Sequence, residues 1–176
     1  KQRRQSLHAL NSAGRKLATM TKLGRLEMRT QVVIVGAGPS GLLLGQLLYK
    51  AGVDTVIVER QSADYVLSRI RAGVLEQVTL DVLAQAGVDK RLNQEGLVHT
   101  GFDLLFKGER HRIDLAALTG GQKVMVYGQT ELTRDLYEAR DRMNGIIIHN
   151  AEDVQPHDVK SVKPYVTYRK DNAECR

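Results

Sequence analysis

The sequence predicts an α/β fold in which a parallel sheet covered by helices is followed by an antiparallel β-meander. The first seventy residues alternate apolar β-branched runs with a helical pattern, in the order β-α-β. Residues 154–176 contain two strand patterns and the turn into a third, which would end as an unpaired edge at Arg176. We therefore expect one domain over residues 31–176 that is truncated at its C-terminus.

Residues 1–30 form a basic leader that we expect to be disordered. They hold eight Lys or Arg and one acid, Glu27, whereas the other 146 residues hold 18 basic and 19 acidic residues. The net charge of +6 belongs to the leader, and no Trp is present to stack bases, so we expect no nucleic-acid partner for the body. Three interpretations of the leader stay open: a transit peptide, sequence upstream of a true start at Met28, or an RNA- or membrane-binding arm.

The composition excludes several other kinds of site. Cys175 is the single cysteine, which rules out an internal disulfide and a CxxC motif and predicts a reducing, cytoplasmic location. The five histidines are scattered without metal-ligand spacing, so we expect no metal. No apolar run is long enough to span a bilayer, so we expect no membrane partner.

The body begins with a glycine-rich stretch between a predicted strand and a predicted helix, VVIVGAGPSGLLLG. Val32–Val35 predicts a buried parallel strand, and Ser40–Ala51 has a helical apolar stripe. Glycines at G-x-G-x-x-G spacing permit a tight turn, a close approach to a pyrophosphate and close helix packing, and here they are Gly36, Gly38 and Gly41. Ser40 can cap the helix or contact a phosphate. The pattern is typical of a Rossmann-like dinucleotide-binding fold.

An acidic residue closes the next predicted strand. Thr55–Val58 ends in Glu59, eighteen positions after Gly41, and an acid near this distance hydrogen-bonds a ribose hydroxyl and repels a 2′-phosphate. This favours the adenosine half of FAD or NAD over NADP. Hydrophobic periodicity then predicts helices over Ala72–Ala86 and Thr130–Met143, and strands over Leu97–Phe106, His111–Leu115, Val124–Tyr127, Ile146–His149, Val154–Val159 and Tyr165–Arg169.

The stretch YVLSRIRAGVLEQ, residues 65–77, lies between GAGPSGLLLGQLL and VYGQTELTRDL. Together these motifs closely resemble the 4-hydroxybenzoate 3-monooxygenases, a family of flavin-dependent aromatic hydroxylases, from Met28 to about Tyr168. The resemblance implies an α/β, Rossmann-like FAD-binding domain with a parallel sheet and an antiparallel β-meander. It also implies FAD as cofactor, NADPH as co-substrate, and O2 with 4-hydroxybenzoate or a similar phenolic acid as partners, the product being 3,4-dihydroxybenzoate.

Two alternatives stay open beside this interpretation. The chain is much shorter than the enzymes it resembles, so it could be an FAD-binding fragment without activity of its own. The full enzyme could also hydroxylate another phenolic acid, since the residues that would bind the substrate are expected beyond Arg176. The resemblance leaves the formation of a homodimer by a full-length enzyme open.

The resemblance also assigns roles to residues at matching positions. The segment along the FAD would comprise Arg69, Ile70, Arg71, Ala72, Gly73 and Val74, with Arg71 also serving the nicotinamide cofactor. Positions implicated in NADPH selection match Arg60, Gln61 and Tyr65; Gln129 would hydrogen-bond the flavin side of the cofactor, and His99 would be the solvent end of a proton relay that deprotonates the phenol. Ser68 replaces a glycine usual in the family, and we expect this difference to alter the loop before Arg69.

The residues alone support less than the resemblance does. Arg69 and Arg71 lie two positions apart in a segment expected to be extended, so both side chains face one way. Such a pair suits a diphosphate, or it is a solvated surface pair. His99 also reads as an ordinary strand histidine.

Overall fold

The computed structural model describes residues 18–20 and 26–176, which contain six helices and thirteen strands numbered in chain order. The helices are α1 Pro39–Lys50, α2 Ala63–Ser68, α3 Gln77–Ala86, α4 Lys90–Glu95, α5 Leu115–Leu118 and α6 Gln129–Arg142. The strands are β1 Ala18–Met20, β2 Leu26–Met28, β3 Val32–Val35, β4 Thr55–Val58, β5 Val74–Glu76, β6 Leu97–His99, β7 Gly101–Phe106, β8 Glu109–Asp114, β9 Val124–Val126, β10 Ile146–Ile148, β11 Glu152–His157, β12 Tyr165–Lys170 and β13 Ala173–Cys175.

A parallel sheet in the order β10-β4-β3 confirms the predicted α/β architecture. On one face, Ile34 and Ile57 pack with α1, α3 and α6 in the main apolar core. On the other face Val58 is buried among residues of the meander, while Val33 and Val35 remain 39% and 61% exposed. The prediction that β3 is a buried strand is therefore wrong for one of its two faces.

The predicted β-meander is formed by β11, β12 and β13, which pair antiparallel in chain order. The expected unpaired edge at β13 is wrong, because Cys175 pairs with Leu26 and the Met28 N–H donates to the carbonyl of Arg176 at 2.8 Å. The structure thus places β1 and β2 inside the segment expected to be a disordered leader. The rest of residues 1–25 lies outside the described residues.

Two predicted elements are divided differently in the structure. The helix expected to start at Ala72 starts at Gln77, because Val74–Glu76 pairs antiparallel with β9 and the Tyr127 N–H donates to the Gly73 carbonyl at 2.7 Å. The strand expected over Leu97–Phe106 breaks at Thr100, because β6 pairs with β9 whereas β7 pairs with β8. The start of α3 and the break between β6 and β7 are both determined by strand pairing in the tertiary structure. The local sequence pattern does not indicate this pairing.

Arg140 fixes the C-terminal half of α6 to the sheet. Its side chain is 2% exposed, and its guanidinium donates to Thr55 Oγ1 at 2.7 Å, to the Thr55 carbonyl at 2.6 Å and to the Ile146 carbonyl at 3.1 Å. Burial lowers the pKa of Arg140. The cation thus joins the first residues of β4 and β10, and its cost of burial is offset by three charge-assisted hydrogen bonds.

Replacing Arg140 should test this contact. Arg140→Ala removes the guanidinium donor from two part-buried carbonyls and opens a cavity, so we expect the free energy of unfolding to fall by about 3 kcal/mol. Urea denaturation followed by circular dichroism measures the change, with Arg142→Ala, an exposed arginine of the same helix, as the control. Equal stability of the two variants would show that the buried guanidinium contributes nothing.

Candidate cofactor site

The glycine turn between β3 and α1 is shaped by backbone contacts that exclude side chains. Gly36 has φ +107°, a conformation that favours glycine, and its N–H donates to the Val58 carbonyl at 2.7 Å. A Cβ on Gly41 would collide with the Gly36 carbonyl, so α1 could not approach β3 this closely with any other residue. The roles predicted for these two glycines are met in the geometry.

Gly38 differs from its neighbours because its surroundings are open. It caps α1 with an extended backbone, and a Cβ built there would meet no protein atom within 4 Å. Gly38 lines a surface cleft, so that a side chain at this position would occupy the cleft itself. This is the space that a closely approaching ligand backbone or pyrophosphate needs.

The N-terminus of α1 has no side-chain cap in the described structure. Ser40, for which capping was one interpretation, is exposed and does not make that hydrogen bond. The first-turn N–H groups and the positive end of the helix dipole therefore remain available to an anion.

Glu59 connects the end of β4 to the glycine turn. Its Oε2 accepts a hydrogen bond from the Ala37 N–H at 2.7 Å, and its Oε1 accepts one from the Gln61 N–H at 2.8 Å. A carboxylate has about four lone-pair positions, so each oxygen can accept one further hydrogen bond. Glu59 thus holds the turn in place and keeps acceptor capacity for a ribose hydroxyl.

A cleft of about 250 Å³ brings most of the predicted cofactor residues together. Arg69 lies with its guanidinium 5.6 Å from the ring centre of Tyr65, and its Nη1 lies 3.4 Å from the Tyr65 hydroxyl. Three arginines against one carboxylate give the cleft a positive character that suits phosphate groups. Of the predicted residues, those that line it are Gly38, Glu59, Arg60, Gln61, Tyr65, Arg69, Arg71 and Gln129.

The remaining predicted residues lie around the cleft or away from it. Gly36, Ser40 and Gly41 belong to the turn beside Gly38, and Gly73 belongs to the backbone contact with Tyr127. Three predicted residues are exposed and do not line the cleft: Ile70, Ala72 and Val74. The exposure is 91% for Ile70 and 58% for Val74. His99 is exposed on β6, opposite Val124, and also lies outside the cleft lining. Its role in a proton relay stays a prediction.

Sequence reasoning missed three residues of the cleft lining: Pro39, Val66 and Thr133. Thr133 follows Gln129 by four positions, so one face of α6 presents both residues, and its Oγ1 donates to the Gln129 carbonyl at 2.7 Å. The four-residue spacing could have identified Thr133 as a residue of the cleft lining once Gln129 was predicted to bind the cofactor. His149 was missed as well, and its Nδ1 lies 3.0 Å from the carbonyl of the lining residue Gln61.

Residues 18–20 and 26–176 contain no group of three or more His, Cys, Asp or Glu side chains arranged to hold a metal ion. None of the helices in this described part of the chain combines the length and the apolar character needed to cross a membrane.

Comparison with curated proteins shows a strong match to one relative. The chain is 56% identical over 141 residues to p-hydroxybenzoate hydroxylase of Acinetobacter baylyi, covering 80% of this chain and 35% of the relative. Over 67 residues it is 43% identical to 3-(3-hydroxy-phenyl)propionate/3-hydroxycinnamic acid hydroxylase 2 of Burkholderia vietnamiensis, covering 38% of this chain and 12% of the relative. The chain therefore spans about a third or less of these relatives.

Solved structures share the fold. p-Nitrophenol 4-monooxygenase PnpA of Pseudomonas putida is 25% identical and superposes with a TM-score of 0.68 over 84% of this chain and 38% of its own. PqsL of Pseudomonas aeruginosa is 20% identical with a TM-score of 0.69 over 84% of this chain and 40% of its own, a likeness of fold alone. The family profile described as FAD binding domain matches residues 29–176. The chain belongs to this family of FAD binding domains, and its fold is that of the flavoprotein monooxygenases.

Proposed function

We propose that the chain is the N-terminal FAD-binding part of a monooxygenase that hydroxylates 4-hydroxybenzoate. In this reaction 4-hydroxybenzoate, O2, NADPH and a proton yield 3,4-dihydroxybenzoate, water and NADP+. The identity of 56% to p-hydroxybenzoate hydroxylase is the observation that carries the choice of substrate. The proposed domain spans residues 31–176, which the match to FAD binding domains over 29–176 supports.

The geometry supports a specific placement of FAD in the cleft. The open side of Gly38 and the uncapped N-terminus of α1 suit the pyrophosphate, and Glu59 suits the adenosine ribose. Arg71 would donate to the diphosphate as a planar fork, and Gln129 would hydrogen-bond the flavin side. When bound, FAD supplies the redox chemistry that carries electrons from NADPH to O2.

The chain's own residues would then bind and orient both nucleotides. Arg60, Gln61 and Tyr65 line the cleft together with Arg69, and Arg60, Gln61 and Tyr65 are the residues that we assign to NADPH. The Tyr65 ring and the Arg69 guanidinium contact each other, which limits the rotamers that either can adopt. His99 is proposed to exchange the phenol proton with solvent, for which its exposure on β6 is suitable.

A second candidate is a hydroxylase of another phenolic acid. The match to a 3-(3-hydroxy-phenyl)propionate/3-hydroxycinnamic acid hydroxylase favours it, although that match covers only 38% of this chain. Oxidation of NADPH by the flavin-loaded enzyme, extended past Arg176, in the presence of each phenolic acid separates the candidates. We expect 4-hydroxybenzoate to stimulate oxidation by the extended enzyme and to yield 3,4-dihydroxybenzoate. Residues 1–176 alone should bind flavin without oxidising NADPH, as an FAD-binding fragment without activity of its own.

The placement of the pyrophosphate can be tested at Gly38. Gly38→Val puts a branched side chain into the open cleft, so we expect the variant to fold and to lose FAD. Retention of FAD after gel filtration measures the effect, and Ala51→Val, an exposed change at the far end of α1, is the control. If Gly38→Val holds FAD as tightly as the control does, the pyrophosphate lies elsewhere.

The role of Arg71 can be tested by a change that keeps its charge. Arg71→Lys loses the paired N–H donors, so we expect FAD affinity to fall roughly tenfold, as for the loss of about 1.5 kcal/mol of charge-assisted hydrogen bonding. In a chain extended past Arg176, anaerobic reduction of the bound flavin by NADPH should slow more severely. Fluorescence quenching and stopped-flow absorbance measure the two effects.

Arg110→Lys, which changes an exposed arginine of β8, is the control for that experiment. If Arg71→Lys has the same FAD affinity and the same rate of flavin reduction as the control, Arg69 and Arg71 are only a pair of solvated surface arginines.

A further inference from the structure

A polar network lies behind the cleft, on the side of α6 that faces α4. The Arg91 guanidinium donates from Nε to Asp135 Oδ1 at 2.8 Å, from Nη1 to Glu131 Oε2 at 2.5 Å and from Nη2 to the Glu131 carbonyl at 3.0 Å. Burial opposes the charged form, but the hydrogen bonds to Asp135 and Glu131 outweigh it and raise the pKa of Arg91. One arginine therefore binds two successive turns of α6.

Tyr127 extends the network to the backbone that follows Arg71, a residue of the cleft lining. Its hydroxyl donates to Asp135 Oδ2 at 2.7 Å, and both residues are buried, at 4% and 8% exposure. Its backbone N–H donates to the Gly73 carbonyl at 2.7 Å, and a Cβ on Gly73 would collide with the backbone of Tyr127. The segment that follows Arg71 thus rests directly on Tyr127.

The network and the cleft use opposite faces of the same helix. Two positions along an α-helix correspond to a rotation of roughly 200°, so Glu131 and Asp135 point away from Gln129 and Thr133. Gln129 and Thr133 line the cleft, whereas Glu131 and Asp135 bind Arg91. Contacts on the back of α6 therefore set the rotation and depth of its front face.

Hydrogen bonds restrict the rotation and depth of α6 more narrowly than apolar packing does. Apolar side chains tolerate small slides and rotations, whereas a guanidinium fork and a carboxylate with both oxygens engaged accept only one arrangement. A part-buried ion pair such as Arg91–Asp135 adds little to stability compared with apolar residues of similar volume. Burial and the hydrogen bond to Asp135 also raise the pKa of Tyr127, so its hydroxyl stays a donor at neutral pH.

We propose that Arg91, Asp135 and Tyr127 are positioning residues for FAD. Arg91 and Asp135 hold the N-terminal turns of α6, and Tyr127 holds the Gly73 segment, so that the two walls of the cleft keep the separation that the cofactor requires. This inference rests on the proposed placement of FAD in the cleft. None of the three residues lines the cleft. They would act through Gln129 and Thr133, and through the segment that ends at Gly73.

Removal of one hydroxyl tests the proposal. Tyr127→Phe keeps the ring and leaves Asp135 Oδ2 without its donor, and we expect FAD affinity to fall five- to twentyfold in a folded protein. Affinity for AMP, which needs only the glycine turn and Glu59, should change less than twofold. Fluorescence quenching measures FAD binding and calorimetry measures AMP binding, with Tyr168→Phe, a buried tyrosine of the meander, as the matched control.

The outcomes separate the proposal from its premise. Unchanged FAD affinity in Tyr127→Phe, or equal losses for FAD and AMP, would overturn the positioning role while leaving FAD binding in place. Absence of FAD binding by the unmodified protein would overturn both. If Tyr127→Phe does not fold, Arg91→Lys replaces it with the same two measurements, because lysine keeps the charge and loses the fork.

Discussion

The contact between the first turn of α1 and the end of β3 is the constraint on which the rest of the structure depends. Because Gly41 has no side chain, α1 lies directly against the Gly36 carbonyl, and the turn between them reverses within a few residues. That geometry directs the N-terminus of α1 at the cleft and leaves the Gly38 side open. It also brings the Ala37 N–H within 2.7 Å of Glu59, which joins the adjacent strand to the same turn.

The elements that sequence predicted well are those whose pattern is local. The strands β3 and β4, the helix α1 and the helix α6 have apolar spacings that match their periods, and each begins or ends within one residue of its expected position. Val74–Glu76 was expected to be helical because Val74 and Leu75 continue the helical spacing of the apolar residues that follow them. Its pairing with Val124–Val126, about fifty positions away, decides the matter, and no local pattern encodes such a partner.

The candidate site was predictable for a related reason. The glycine spacing and the acid after β4 match the dinucleotide-binding pattern, so Gly38 and Glu59 could be chosen from the sequence alone. Arg69 and Arg71 required the resemblance to a family, since two arginines near a helix are common on surfaces. The polar network around Asp135 escaped notice because its members, Arg91, Tyr127 and Asp135, are distributed over 45 positions and meet only in the folded chain.

Helix α6 shows how stability and position are supplied by different interactions. Its buried leucines, Leu132 and Leu136, pack into the main core, and this burial accounts for most of what holds the helix to the sheet. Each half of the helix also carries a directional contact, from Arg91 near its N-terminus and from Arg140 near its C-terminus. A cofactor cleft needs its wall placed to within a fraction of an ångström, which apolar packing alone does not guarantee. Two hydrogen-bonded arginines, the part-exposed Arg91 and the buried Arg140, restrict the tilt and rotation of the helix from its two halves, which is the kind of placement that the proposed cofactor site needs.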